Sequence, residues 1–236
     1  TFDKALTLAR RAMQADPADA VSRIVASEVL ASIAIVIRNK GLDCRPAMHE
    51  GLQLAREAIR LDPRLAWAYI TAGKQESNLA TVDQQMEGRS AIPRLEEAVN
   101  YFQKAMRLQP GLAGLRKTLG NTFFGMALSR GANGQDPRPD YRRAINEYRQ
   151  ALHLQKKDMG AACNIAEAVE ASSRWTLRQG GNPRTELVAV LELLRRMERQ
   201  PLPYSESLAL EGAIQRLLAI QAMREGLNPE AELALG

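Results

Sequence analysis

Five prolines recur at a nearly constant interval along this chain, and the interval constrains its fold more than any other feature. Pro46, Pro93, Pro139, Pro183 and Pro229 are separated by 47, 46, 44 and 46 residues. A second set, Pro17, Pro63 and Pro110, is spaced 46 and 47 apart; Lys156 takes the next slot and Pro201 follows slightly out of register. Gly41, Gly88 and Gly134 each lie five residues before their proline, and Gly180-Gly181 and Gly226 stand closer to theirs. Glycine closes a helix by taking a left-handed conformation, and proline is tolerated in a first helical turn, where its missing N–H has no intrahelical partner anyway. Each Gly…Pro step therefore reads as a turn from one helix into the next. The other prolines, in Asp-Pro and Gln-Pro pairs, end that second helix and open another. The unit is a helical hairpin of about 46 residues, and such units stack because one hairpin cannot bury its apolar face alone.

Small residues keep the same period. Ala12, Ala58, Ala105 and Ala151 sit five residues before the Pro17, Pro63, Pro110 and Lys156 slot. Seven residues earlier come Ala5, Gly51, Ala98 and Ala144, and between them Ala9, Ala55, Phe102 and Tyr148. Offsets of three, four and seven place all three on one helical face. Ten residues past the slot stand Ser27, Gly73, Gly120 and Ala166, which predicts a point where two helices touch closely. Gly120→Leu should overpack it.

The pattern predicts helices over about 2–15, 18–39, 45–61, 64–86, 92–108, 112–130, 138–155, 159–179, 184–199 and 204–225, with a stub from Asn228 to Leu235. No segment alternates like a strand. Ala, Leu and Arg are plentiful while aromatics are 5%, which favours helices over sheets. The expectation is an all-α, right-handed solenoid of stacked antiparallel hairpins, one domain over 1–236 with about five long units. The units run roughly 1–17, 18–63, 64–110, 111–157, 158–201 and 202–236. Because Thr1 already lies inside a helical pattern, the chain reads as excised from a longer one. The most apolar run, Ile24 to Ile37, is 14 residues long against the roughly 20 of a membrane span, so it reads as a buried helix and no membrane span is expected.

The face small-x3-aromatic/Ala-x2-Ala-x4-Pro resembles the second helix of a tetratricopeptide (TPR) repeat. Ala98, Phe102, Ala105 and Pro110 match it fully; Ala144, Tyr148 and Ala151 match it with Lys156 in place of proline. Gly120 with Phe123 matches the close-packed position of the family's first helix. One departure is plain: TPR units have about 34 residues, and the extra dozen here fall between the two helices, as in the stretch from Ala127 through Pro139, where the first helix runs on and then turns through a Gly/Asp/Pro loop. Long units with a Gly-x-Asp-Pro-Arg loop before an Ala-Ile-x-x-Tyr-x-x-Ala-Leu helix resemble TPR-like regions C-terminal to the kinase domain of bacterial eukaryote-type Ser/Thr kinases. Gly134 to Arg138 and Ala144 to Leu152 carry that resemblance here. Armadillo and HEAT units have the right length but a different register, and are the alternative fold. The resemblance implies a cytoplasmic location, or the extracytoplasmic part of a membrane-anchored kinase.

Nothing in the sequence forms a catalytic set. His49 and His153 lie in helices without Cys, Asp or Glu at metal-ligand spacing, and Glu96-Glu97 and Glu167 with Glu170 read as solvated helical carboxylates. The loop 131–134 lacks a phosphate-cradling pattern, and the motifs of a kinase domain are absent. Cys44 and Cys163 are too few and too far apart for a disulfide framework. No enzyme activity, cofactor or metal is expected of this region. Net charge is +5 from 32 basic and 27 acidic residues, with both signs interspersed, so a basic stripe for nucleic acid is not expected either.

Binding remains. In TPR arrays the first helices line a concave groove, and the register places Lys74, Ser77, Asn78, Lys117, Asn121, Cys163, Asn164, Glu167 and Glu170 on it. Lys117-Thr118-Leu119-Gly120-Asn121 is similar to the Lys-x-x-Gly-Asn of carboxylate-clamp TPR domains, and Asn164 falls where that family has its second asparagine. The two cations of the third clamp unit are missing around Ser205 to Leu210. The partner implied is another protein or an extended peptide, bound weakly through an anionic group, and Lys117→Ala should weaken it without lowering the melting temperature. A nucleic-acid-binding solenoid and a structural or oligomerisation segment are the competing readings.

Overall fold

A computed structural model describes residues 2–198 and 205–230. Among these there are ten helices and no strand: α1 (Phe2–Ala15), α2 (Ala20–Asn39), α3 (Arg45–Leu61), α4 (Ala66–Glu87), α5 (Ile92–Leu108), α6 (Ala113–Ala132), α7 (Arg138–Leu154), α8 (Met159–Arg178), α9 (Arg184–Glu198) and α10 (Ser205–Arg224). Helix ends lie within two residues of their expected positions, apart from the end expected at 199 and the start expected at 204, which lie outside the described residues. The helices gather into two compact units, Thr1–Leu115 and Arg116–Gly236. In the first, α1 to α5 pack each on the next, and the first helices α2 and α4 also touch. In the second, α8 packs against α7, α9 and α10, and α9 against α10.

The turns carry the period in their backbone. Gly41, Gly88, Gly134, Gly180 and Gly226 all have positive φ, between 64° and 78°. Two residues after each stands a short polar side chain, Asp43, Ser90, Asp136, Asn182 or Asn228. Its oxygen accepts the N–H two residues further on, at 2.9–3.4 Å. Pro46, Pro93 and Pro139 then occupy the second helical position of α3, α5 and α7. Pro183 stands one residue ahead of α9, and its carbonyl accepts the Leu187 N–H at 3.1 Å. Pro229 opens a further helical stretch. Pro201 and the part of the expected stub beyond 230 lie outside the described residues.

At the opposite ends of the second helices, the N–H groups of Asp62, Gln109 and Gln155 donate to the carbonyls of Ala58, Ala105 and Ala151, each at 2.9 Å. These alanines are fully buried. The close-contact register also holds. A Cβ on Gly73 would come within 2.6 Å of the Phe102 ring, and one on Gly120 would collide with the ring of Tyr148. In the hairpin of Ser27 the register position of those rings holds Ala55, which has none, and Ser27 is met instead by Gln75, its Nε2 donating to the Ser27 carbonyl at 2.8 Å and to Ser27 Oγ at 3.1 Å.

The apolar run differs from expectation. It forms the 20-residue helix α2, which by length and composition could cross a membrane, with a mean hydropathy of 2.0 in its most apolar window. Only 39% of that window is buried. Ile24, Ala26, Leu30 and Ala34 face the core while Val21, Val25, Ile35 and Val36 are exposed, so the helix is buried along one side only.

Candidate functional site

The outward faces of the first helices follow from the 3.6-residue period. On α4 that face runs through Trp67, Lys74, Asn78 and Thr81; Lys74 is exposed and Asn78 half-buried. Trp67 donates through Nε1 to Glu28 Oε1 on α2 at 2.9 Å, so an exposed aromatic ring is fixed across two first helices. The sequence reading missed this pair, although a tryptophan at a helix surface is itself a signal, since its ring is apolar and its N–H needs a partner.

In the second unit the expected asparagines meet. Asn121 Oδ1 on α6 accepts the Tyr148 hydroxyl at 2.8 Å and Asn164 Nδ2 of α8 at 3.4 Å. Lys117, one turn earlier on α6, turns instead to Asp158, with Nζ 2.7 Å from Oδ2. Asp158 caps α8, its Oδ1 accepting the Ala161 N–H at 3.0 Å. Burial alone would raise the Asp158 pKa; the Lys117 ammonium and the helix N–H groups outweigh it and hold the carboxyl below the ordinary carboxylate range. An anionic ligand would have to share Lys117 with Asp158. Glu167 is exposed on the outer face of α8.

Two expected groove residues are elsewhere. Cys163 is buried, as is Cys44. Glu170 is buried too, pairing with Arg174 at 2.9 Å, so Glu167 and Glu170 do not form a solvated pair. Both face inward because α8 packs on α7, α9 and α10, which leaves it a narrower exposed face than the register alone implies. His49 and His153 are exposed. Among the described residues no group of three or more His, Cys, Asp or Glu could hold a metal ion.

Among α6, α7 and α8 the structure forms a cleft of about 430 Å³ that no motif had flagged. Phe124, Leu128, Tyr141, Glu167, Arg174 and Trp175 line it. Phe124 and Tyr141 meet edge to face with ring centroids 5.4 Å apart. Burial raises the Tyr141 pKa, which keeps the phenol neutral. Apolar walls with a few charged groups at the rim suit a side chain inserted from a peptide.

No family model and no curated protein sequence matches the chain. Solved structures do. A MamA protein is 17% identical, with 86% of this chain and 88% of that one covered and a TM-score of 0.54. TTC0263, a thermophilic TPR protein of Thermus thermophilus, is 19% identical, with 92% and 90% covered and a TM-score of 0.52. YrrB, described as a TPR protein with an unusual peptide-binding site, is 17% identical, with 96% and 88% covered and a TM-score of 0.54. At such identities the likeness concerns the fold: this is a TPR-like helical repeat array.

Proposed function

We propose that the chain is a non-catalytic scaffold that binds another protein or an extended peptide along the outward faces of its first helices. The observation that carries this reading is the meeting of Asn121 and Asn164 across α6 and α8, on the face where Lys117 also stands. Two amides and an ammonium supply donors for a carboxylate, from a C-terminus or an acidic side chain. YrrB, a structural neighbour, is described as having a peptide-binding site. With Lys117 shared with Asp158 and no second pair of cations, the affinity is micromolar or weaker, roughly −8 kcal/mol at most.

The finer part of the reading makes this span, taken as one repeat domain over 1–236, the interaction or regulatory region of a bacterial Ser/Thr kinase, cytoplasmic in location. The loop Gly134 to Arg138 and the helix Ala144 to Leu152 support it by resemblance, and the reading frame upstream of Thr1 tests it.

For the binding itself, residues 1–236 are titrated with a library of extended peptides carrying free or amidated C-termini. Lys117→Ala is a poor probe, because it also removes the Asp158 pair and so affects folding. Asn164→Ala is cleaner. It should weaken acidic peptides by about tenfold, the worth of a hydrogen bond to a charged group, with an unchanged melting temperature. Binding indifferent to Asn164→Ala would overturn the site.

A further inference from the structure

The two units treat the space between consecutive second helices in opposite ways. Equivalent positions follow from the turns and close contacts: α3 maps onto α7 at +93 (Asp43 to Asp136), α4 onto α8 at +93 (Gly73 to Ala166), and α5 onto α9 at +92 (Ser90 to Asn182). In the first unit a polar network bridges α3 and α5 over α4. Arg56 donates to the Tyr101 hydroxyl at 3.1 Å and to Glu76 at 2.8 Å, while Arg94 donates to Glu76 at 2.9 Å and to Asp83 at 2.7 Å. In the second unit only Arg56 keeps its counterpart, Arg149. Glu76 becomes Val169, Asp83 becomes Thr176, Arg94 becomes Glu186 and Tyr101 becomes Leu193. Without the network, two adjoining clefts of about 340 and 260 Å³ lie between α7 and α9 and share Arg142, Ile145, Val169 and Glu186.

We infer that this groove docks an acidic amphipathic helix of a partner protein. Its floor is apolar, from Ile165 and Val169, with Ile145 and Leu193 on the walls. Its α7 rim is cationic. Arg142 and Arg149 are exposed, and among the described residues neither makes a hydrogen bond or ion pair. They stand seven residues apart, two turns along one face, about 10 Å. That matches two carboxylates at i and i+7 on a docked helix whose apolar stripe, at i, i+3, i+4 and i+7, covers the floor. Glu186, exposed on the α9 wall, asks for a basic residue on the opposite flank and so sets the orientation. The surface is separate from the asparagine face used under the proposed function, and either can fail alone.

The probe is a fluorescein-labelled helical peptide of about fourteen residues, roughly four turns, with a leucine stripe, glutamates seven apart on one flank and a lysine on the other. It is titrated into 15N-labelled residues 1–236. Amide shifts should cluster at 142–149 and 186–193. Arg142→Glu with Arg149→Glu should weaken binding at least about tenfold at an unchanged melting temperature, and should shift preference to the peptide with lysines in place of glutamates. Transplanting the closed arrangement, with Val169→Glu, Glu186→Arg and Leu193→Tyr, should abolish binding; the surface double variant decides the matter if that triple does not fold. Asn164→Ala should leave this peptide's affinity unchanged. The proposal is overturned by no binding, by shifts clustered elsewhere, or by indifference to the double charge reversal. It is equally overturned if the groove residues respond to protein concentration alone, which makes a second copy the occupant, or if a single-stranded oligonucleotide binds there as well as the peptide.

Discussion

The hairpins α4–α5 and α6–α7 occupy successive slots of one period, and each ties its two helices together with an arginine–carboxylate pair of opposite polarity. In the first, Asp83 on the first helix accepts from Arg94 on the second at 2.7 Å. In the next, Arg130 on the first helix donates to Asp140 on the second at 2.6 Å. Asp83 and Arg130 are 47 apart, and Arg94 and Asp140 are 46 apart. The hairpin before them has Val36 and Ala47 at these places. In these two hairpins the same slots hold the joint, while its chemistry is inverted. Polarity has consequences, though. A cation near a helix C-terminus and an anion in a first turn suit the helix dipoles, and Arg130 with Asp140 has that arrangement. Asp83 with Arg94 opposes it. The first unit offsets this with Glu76, a buried carboxylate that both Arg56 and Arg94 reach.

Removing that extra carboxylate gives the largest effect expected. Glu76→Ala leaves Arg94 with Asp83 alone and Arg56 with only the Tyr101 hydroxyl, and should cost about 3–5 kcal/mol in denaturant unfolding. Asp140→Ala should cost less, because Asp140 joins Arg130 to Arg143 of its own helix rather than linking three helices. Equal losses would break the comparison.

The close contacts come next. Gly120→Leu should cost about 1–3 kcal/mol by overpacking, since Tyr148 is buried and its hydroxyl is tied to Asn121. In a repeat array the loss should spread to neighbouring hairpins. A rise in melting temperature would mean that the position is open, because leucine is the better helix former.

The smallest effect concerns the caps. The Asp158 pKa is lowered in the folded state. Its contribution to stability is therefore full above the unfolded carboxylate value of about 4 and is lost as pH falls through the lower folded value. Asp158→Asn keeps an acceptor for the helix and loses the Lys117 pair. It should cost under about 1 kcal/mol at neutral pH and flatten the acid limb of the stability curve below about pH 4. An unchanged acid limb would show that the pair is not formed in solution.

The fold was legible because its punctuation is local. Gly41, Gly88 and Gly134 with their prolines mark turns through backbone geometry alone, and Ala58, Ala105 and Ala151 mark the buried ends of the second helices. The polar turn residues Asp43, Ser90, Asp136, Asn182 and Asn228 were in the sequence at the same period, but their chemistry varies and hides the repeat. The site was less legible. Register placed Lys117, Asn121 and Asn164 on neighbouring faces, and two of the three meet. It could not show that Asp158, a helix cap, takes Lys117, or that Cys163 and Glu170 turn inward, because both depend on how α8 packs. The cleft at Phe124, Tyr141 and Trp175, and the closure of one second-helix groove but not the other, depend on side chains drawn from three helices.

That the paired slots of these two hairpins do equivalent work whichever charge each holds is tested most directly by inverting one joint. Arg130→Asp and Asp140→Arg each place like charges at a contact now 2.6 Å long; the double variant recreates the polarity of the preceding hairpin. Arg143 is about half exposed and can turn to solvent. In urea unfolding, each single change should cost about 2 kcal/mol, and the double variant should recover to within about 1 kcal/mol of the parent, a coupling of about 3 kcal/mol. Losses that simply add would contradict the account.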